Sequence, residues 1–159
     1  MFRKLETIFN QLPLLTVNSK EYKPIFRFGT EDDLQKYLKV KRRTGERYYP
    51  LIWLETPTVE AGELDLNFVI ATLNMRTDMG NFDRLTYTME PTLDPLFTNI
   101  VTAIKGSRVF KFSPELYDKN YRGEKHFNYL VTPDIWDAIS FTFSLQYTRE
   151  CEVKLPINF

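Results

Sequence analysis

The sequence predicts an α+β domain: a single mixed, largely antiparallel sheet with helices packed mainly on one face. Three observations carry this. From Asp137 to Thr148, Ile139, Phe141, Phe143, Leu145 and Tyr147 alternate with Ser140, Thr142, Ser144, Gln146 and Thr148, the period of an antiparallel strand with one wet face. From Asn81 to Gly106, Phe82, Leu85, Met89, Leu93, Leu96, Phe97, Ile100, Val101 and Ile104 recur every three or four residues, the stripe of a helix with one buried face. Strand-like segments lie on both sides of this helix in sequence, as expected if it covers a sheet.

The elements follow in order. Phe2, Leu5, Ile8, Phe9 and Leu12 are at helical spacing, and Pro13 ends that helix. Leu14 to Lys20 reads as a connector. Ile25 to Phe28 reads as a short strand, and Pro24 before it suits a sheet edge. Thr30 is placed to N-cap a helix with Glu31, Asp32 and Asp33 in its first turn and Lys41, Arg42 and Arg43 in its last. That order complements the helix dipole, and Gly45 closes it. Tyr49 to Leu54 is an apolar run between prolines, read as a strand buried on both faces.

Glu63 to Leu73 is a strand that starts half exposed, with Asp65 and Asn67 on the wet side, and finishes inside the core at Val69, Ala71 and Leu73. Asn74 to Gly80 is a polar loop. Pro91 and Pro95 interrupt the long helix, so it reads as kinked or as two helices, the second starting at Pro95 behind an Asp94 N-cap. Gly106 is the expected residue past its end. A short strand at Val109–Phe112, an aperiodic extension at 113–132 and a C-terminal arm at 150–159 complete the chain, which reads as a single domain across 1–159.

Bulk composition excludes several classes. With 43% hydrophobic and 26% charged residues, the chain can bury a core and is not a disordered polymer. The 21 basic and 21 acidic residues cancel, unlike the basic balance of a dedicated nucleic-acid binder, and leave little self-repulsion against self-assembly. Cys151 is the single cysteine, so neither an internal disulfide nor a multi-cysteine metal site is expected. The amino-terminal stretch spreads charges among its apolar residues, unlike a signal peptide, and no apolar run is long enough to span a membrane.

No catalytic constellation emerges. His126 is the single histidine and has no metal-ligand or acid–base partner at a recognisable spacing. Nucleotide-loop and nucleophile-elbow motifs are absent. The carboxylate pairs Asp32–Asp33 and Glu60/Glu63 belong to a helix start and a turn, with no neighbour to split their pKa values. No enzyme activity, cofactor or metal is expected.

Charge is instead segregated. Between Lys36 and Arg47, six basic residues face one acidic residue, Glu46. From Tyr48 to Met75 there is no Lys or Arg, while Glu55, Glu60, Glu63 and Asp65 occur. Three readings stand side by side. One is a solvated helix end and a solvated strand face. Another is a head-to-tail subunit contact in which Lys41, Arg42, Arg43 and Arg47 of one copy meet Glu60, Glu63 and Asp65 of the next. The third sets the basic stretch against nucleic acid, with Tyr37, Tyr48 and Tyr49 as stacking platforms.

Tyr49-Pro50-Leu51-Ile52-Trp53-Leu54, the strand ending Val69-Ile70-Ala71-Thr72, the helix beginning Phe82-Asp83-Arg84 and carrying Pro91, Leu93, Pro95, Leu96 and Phe97, and the strand opening Asp137-Ala138-Ile139 together resemble the tail terminator, or tail-completion, proteins of long-tailed bacteriophages. The versions in phages of Bacteroidetes-type hosts are especially similar. The resemblance covers residues 48 to 148 and rests on apolar and turn patterns. It implies a virion structural protein that forms a ring, a hexamer by analogy. That ring would cap the tail tube, end its polymerisation and meet the head connector, with phage DNA passing its lumen without sequence-specific contact. The implied location is the tail or neck of a virion assembled in the host cytoplasm, away from any membrane. Other neck or head–tail joining proteins share the same features and remain the alternative. Contacts would lie on loops and arms, and in the loop before the long helix the candidates are Arg76, Asp78 and Met79.

Overall fold

The computed structural model describes residues 1–17, 19–56, 59–60, 63–73, 80–107, 110–111, 124–129 and 136–147. The elements begin with α1 (Phe2–Phe9), β1 (Leu15–Val17), β2 (Lys20–Tyr22), β3 (Ile25–Gly29), α2 (Glu31–Thr44) and β4 (Leu51–Glu55). Next come β5 (Val59–Glu60), β6 (Glu63–Leu73), α3 (Asn81–Arg84), a π-helix (Leu85–Leu93) and α4 (Asp94–Ser107). The last three are β7 (Phe110–Lys111), β8 (Glu124–Tyr129) and β9 (Trp136–Tyr147).

The main sheet has the order β3-β4-β6-β9-β7, with β5 also pairing β6 and β8 also pairing β9. The β3/β4 pair is parallel, joined through α2, and the other pairs in this sheet are antiparallel. The expected α+β class and mixed, largely antiparallel sheet are therefore the observed ones, and β3 is the expected edge strand. Beside this sheet, β1 and β2 form a separate antiparallel hairpin, where the sequence suggested only a connector. Three-residue strands are too short to display a period.

The longest pairing, β6 with β9, runs from Leu64↔Leu145 to Leu73↔Trp136 and forms the spine of the sheet. Its pleat sorts side chains onto two faces, and both faces are covered. On one, Ile52, Leu54, Leu66, Phe68, Ile70, Ile139, Phe141 and Phe143 are buried beneath Leu5, Ile8 and Phe9 of α1, Met89 and Leu93 of the π-helix, and Leu96, Ile100 and Ile104 of α4. Rings knit this layer: Phe68 stacks on Phe141 at 5.3 Å, and Phe97 meets Phe141 edge-on at 4.9 Å. On the other face, Leu51, Trp53, Val69, Ala71, Trp136 and Ala138 are buried beneath Leu34 and Leu38 of α2. The helices thus divide between the two faces instead of lying mainly on one. The parallel β3/β4 pair accounts for this, because its crossover helix must pack against one face of the sheet.

The long helical segment is continuous, so of the two readings, one helix or two, the single helix is the observed one. Asp94 has helical dihedrals (φ −64°, ψ −45°), and its N–H reaches back five residues to the Met89 carbonyl. An N-cap at Asp94 is therefore absent. Pro91 lies inside the π-helix. In an α-helix a proline ring clashes with the carbonyl four residues earlier, and the wider π turn relieves that crowding without ending the helix. The helix also runs one residue past Gly106, to Ser107, whose buried hydroxyl donates to the Ile104 carbonyl at 2.7 Å. Within the expected extension at 113–132, β8 pairs with β9 from Glu124↔Ser140 to Tyr129↔Trp136. The remainder of that extension, the 74–79 part of the loop and the arm at 150–159, with Cys151, lie outside the described residues.

Candidate subunit-contact surfaces

Helix α2 forms where the sequence places it because both its ends are satisfied locally. The Asp33 N–H donates to the Thr30 hydroxyl oxygen at 3.3 Å, and the Thr30 N–H donates to the Asp33 carboxylate at 3.0 Å, a reciprocal capping box. The backbone N–H of Thr30, and then its hydroxyl at 2.9 Å, hold the Asp33 carboxyl below its ordinary pKa. Gly45 ends the helix in the left-handed region, at φ 65°.

Topology decides where the charges of α2 go. Strand β3 runs parallel to β4 with Ile25 beside Leu51, so α2 leaves the Gly29 end and must return to the Leu51 end. Its basic last turn lies there, and the Arg47 guanidinium donates to the Lys23 carbonyl at 2.8 Å on that same side. Strand β6 runs the other way, with Ala71 beside Leu51 and Phe68 beside Leu54. Asp65 is six residues before Ala71, about 20 Å along an extended strand, and the Glu60↔Glu63 pair lies further out still. Lys41, Arg42, Arg43 and Arg47 therefore occupy one end of the sheet, while Glu60, Glu63 and Asp65 occupy the other.

The basic residues are not equivalent. Lys41 pairs with the Glu46 carboxylate and lies 5.9 Å from the centre of the Tyr37 ring. Arg47 lies over the Tyr22 ring at 5.7 Å. Arg42 and Arg43 are exposed on the last turn. The tyrosines beside them are half-buried. Tyr37 packs against Trp53, Tyr49 accepts a hydrogen bond from the Trp136 indole, and Tyr48 lies against Tyr49. All three pack against the α2-side core. Asp65 is exposed, while Arg76, Asp78 and Met79 lie outside the described residues.

Three exposed apolar side chains escaped the sequence reading. Val40 on α2 is 55% exposed, Phe82 on α3 is 78% exposed and Tyr87 on the π-helix is 65% exposed. Phe82 belonged to the expected buried stripe, and the structure corrects that. Arg84 takes the inward position, and residues two apart on a helix point about 200° apart, so burying Arg84 turns Phe82 to solvent. The signal available was Arg84 itself, the one base between Gly80 and Ile104.

A cleft of about 210 Å³ opens between the β1–β2 hairpin and the main sheet, lined by Val17, Tyr22, Tyr49, Pro50, Thr72 and Thr92. Among the described residues its lining offers hydroxyls and rings. No group of three or more His, Cys, Asp or Glu among the described residues is arranged to hold a metal ion. No described helix is long and apolar enough to cross a membrane. Comparison with protein-family models, curated proteins and solved structures yields no match.

Proposed function

We propose that this chain is a ring-forming virion subunit, the tail terminator of a long-tailed bacteriophage. The observation that carries the reading is the placement of Lys41, Arg42, Arg43 and Arg47 at one end of the sheet and of Glu60, Glu63 and Asp65 at the other. A surface of that kind has complementary basic and acidic ends. It is complementary to the next copy in a head-to-tail row, which closes into a ring when the rotation allows. Zero net charge adds no penalty to such assembly.

In this role the subunit caps the last ring of the tail tube, ends its growth and turns its other surface to the head connector. Six copies, by analogy, surround a lumen through which DNA passes. The chain performs no catalysis, and its work is done by surfaces held in place by a sheet packed on both sides. Arg42 and Arg43 are exposed at the basic end and are the basic contacts tested first.

Native mass spectrometry of the full chain, alone and with tail-tube protein, tests this. A closed oligomer that binds the tube end and is weakened by Arg42→Glu with Arg43→Glu is the expected result. A chain that stays monomeric at every concentration, with or without tube protein, sinks the proposal. A ring unaffected by the double reversal removes these two arginines from the contact.

A further inference from the structure

The α3 and π-helix segment presents a surface that its packing does not use. Phe82 and Tyr87 are its most exposed large side chains, and Asp83 and Glu90 are exposed beside them. The only base between Gly80 and Ile104 is Arg84, which is buried against Asp137, so every exposed charged side chain of this stretch is acidic. In the i→i+5 geometry of a π-helix, residues four and five apart come close to one line. Phe82 and Tyr87 are five apart, and both are exposed with Glu90 while Met89 and Leu93 are buried. An aromatic centre with an acidic border is the anatomy of a contact patch.

The outward side of α2 is its counterpart. Val40 is exposed at the centre, and Lys36 and Arg43 lie four residues before and three after it on the same helical face, both exposed. This is an apolar centre with a basic border. The two patches lie on opposite faces of the sheet, because α2 covers one face and the π-helix covers the other. They cannot meet within one subunit.

We propose that the Phe82/Tyr87 patch of one copy docks on the Val40 patch of the next, with Asp83 and Glu90 facing Lys36 and Arg43. The occupant is a second copy of this chain, since the complementary patch is on the chain itself and both the apolar and the charged parts match. The contact is heterologous, with one patch used on each side, so every copy has two neighbours. This deepens the ring reading and rests on it. It adds a contact between the helical layer and the outward side of α2 to the pairing of the basic and acidic ends.

The test uses two full-length charge reversals, Asp83→Lys with Glu90→Lys and Lys36→Glu with Arg43→Glu. Circular dichroism should show both folded, because all four positions are exposed. Each variant alone is expected to associate at least about tenfold more weakly than the parent chain in native mass spectrometry. An equimolar mixture should restore mixed oligomers, since each reversed patch then meets a complementary one. Unchanged assembly of Asp83→Lys with Glu90→Lys, or failure of the mixture to reassemble, overturns this contact. If the parent chain is itself monomeric, the ring reading falls as well. If parent rings survive the helix reversal but dissolve on Glu60→Lys with Asp65→Lys, the ring reading stands and this contact alone is refuted.

Discussion

The Arg84 guanidinium lies 3.8 Å from the Asp137 carboxylate, and their side chains are 2% and 1% exposed. Arg84 ends α3 and Asp137 is the second residue of β9, so the pair ties the helical layer to the central strand. Asp137 lies beside Thr72 in the β6–β9 register, on the same side of β9 as Ile139, Phe141 and Phe143. The position of the π-helix over the sheet is thus set by charge at one end and by Met89 and Leu93 along its length.

Removing one member of this pair leaves the other charge buried. Asp137→Ala is expected to cost about 3–5 kcal/mol in urea unfolding. Arg84→Met combined with Asp137→Leu should cost much less, because no charge is stranded. Equal losses in the single and double variants would show that the pair does not act through buried charge.

The α2 cap gives a pH dependence whose sign follows from Asp33. Its folded pKa is lowered, chiefly by the Thr30 backbone N–H. The stabilisation is therefore complete above the ordinary carboxylate range of about 3.9 and is lost as pH falls through the lowered folded value. Parent and Asp33→Asn stabilities should differ by a constant amount at neutral pH and converge in acid. Thr30→Ala should cost about 1 kcal/mol at neutral pH. A difference that grows on acidification would contradict the cap.

Gly29 joins β3 to this cap with no room for a side chain. Its φ is +156°, and a Cβ there would come within 2.8 Å of the Asp33 Cβ. Gly29→Ala should lower stability by more than the ~1 kcal/mol typical of a strained glycine site, because the clash also displaces the capping carboxylate. Gly45→Ala, where no atom lies within 4 Å of the added Cβ, isolates the backbone contribution. Thermal unfolding of the two variants should rank Gly29→Ala as the worse.

Two phenylalanines of opposite standing separate folding from contact. Phe68→Ala removes a ring packed on Phe9, Phe141 and Phe143, and is expected to destabilise by about 3–5 kcal/mol. Phe82→Ser removes a ring that is 78% exposed and should change monomer stability by less than about 0.5 kcal/mol. A large loss from Phe82→Ser in dilute denaturant titration would show that it stabilises the isolated fold.

Much of this architecture was legible in one dimension. Thr30 and Gly45 bound α2 because capping is local chemistry between residues a few positions apart. The fully buried run Leu51–Leu54 and the alternation of β9 were readable because a strand's two faces are written every second residue. The segregation of charge between Lys36–Arg47 and Glu60–Asp65 was also visible, but not its meaning.

Only the tertiary structure decided what lies opposite what. The parallel β3/β4 pairing sends α2 to the far face and places the basic and acidic groups at opposite ends, a consequence of register that no local pattern records. Arg84 turned inward because Asp137, more than fifty residues away, supplies its partner, and this exposed Phe82 against the expectation from spacing. The π turn at Pro91 likewise kept one helix where proline chemistry left one or two open. Local periodicity determines which residues are apolar together. Long-range pairing determines which of them the fold consumes and which it leaves at the surface.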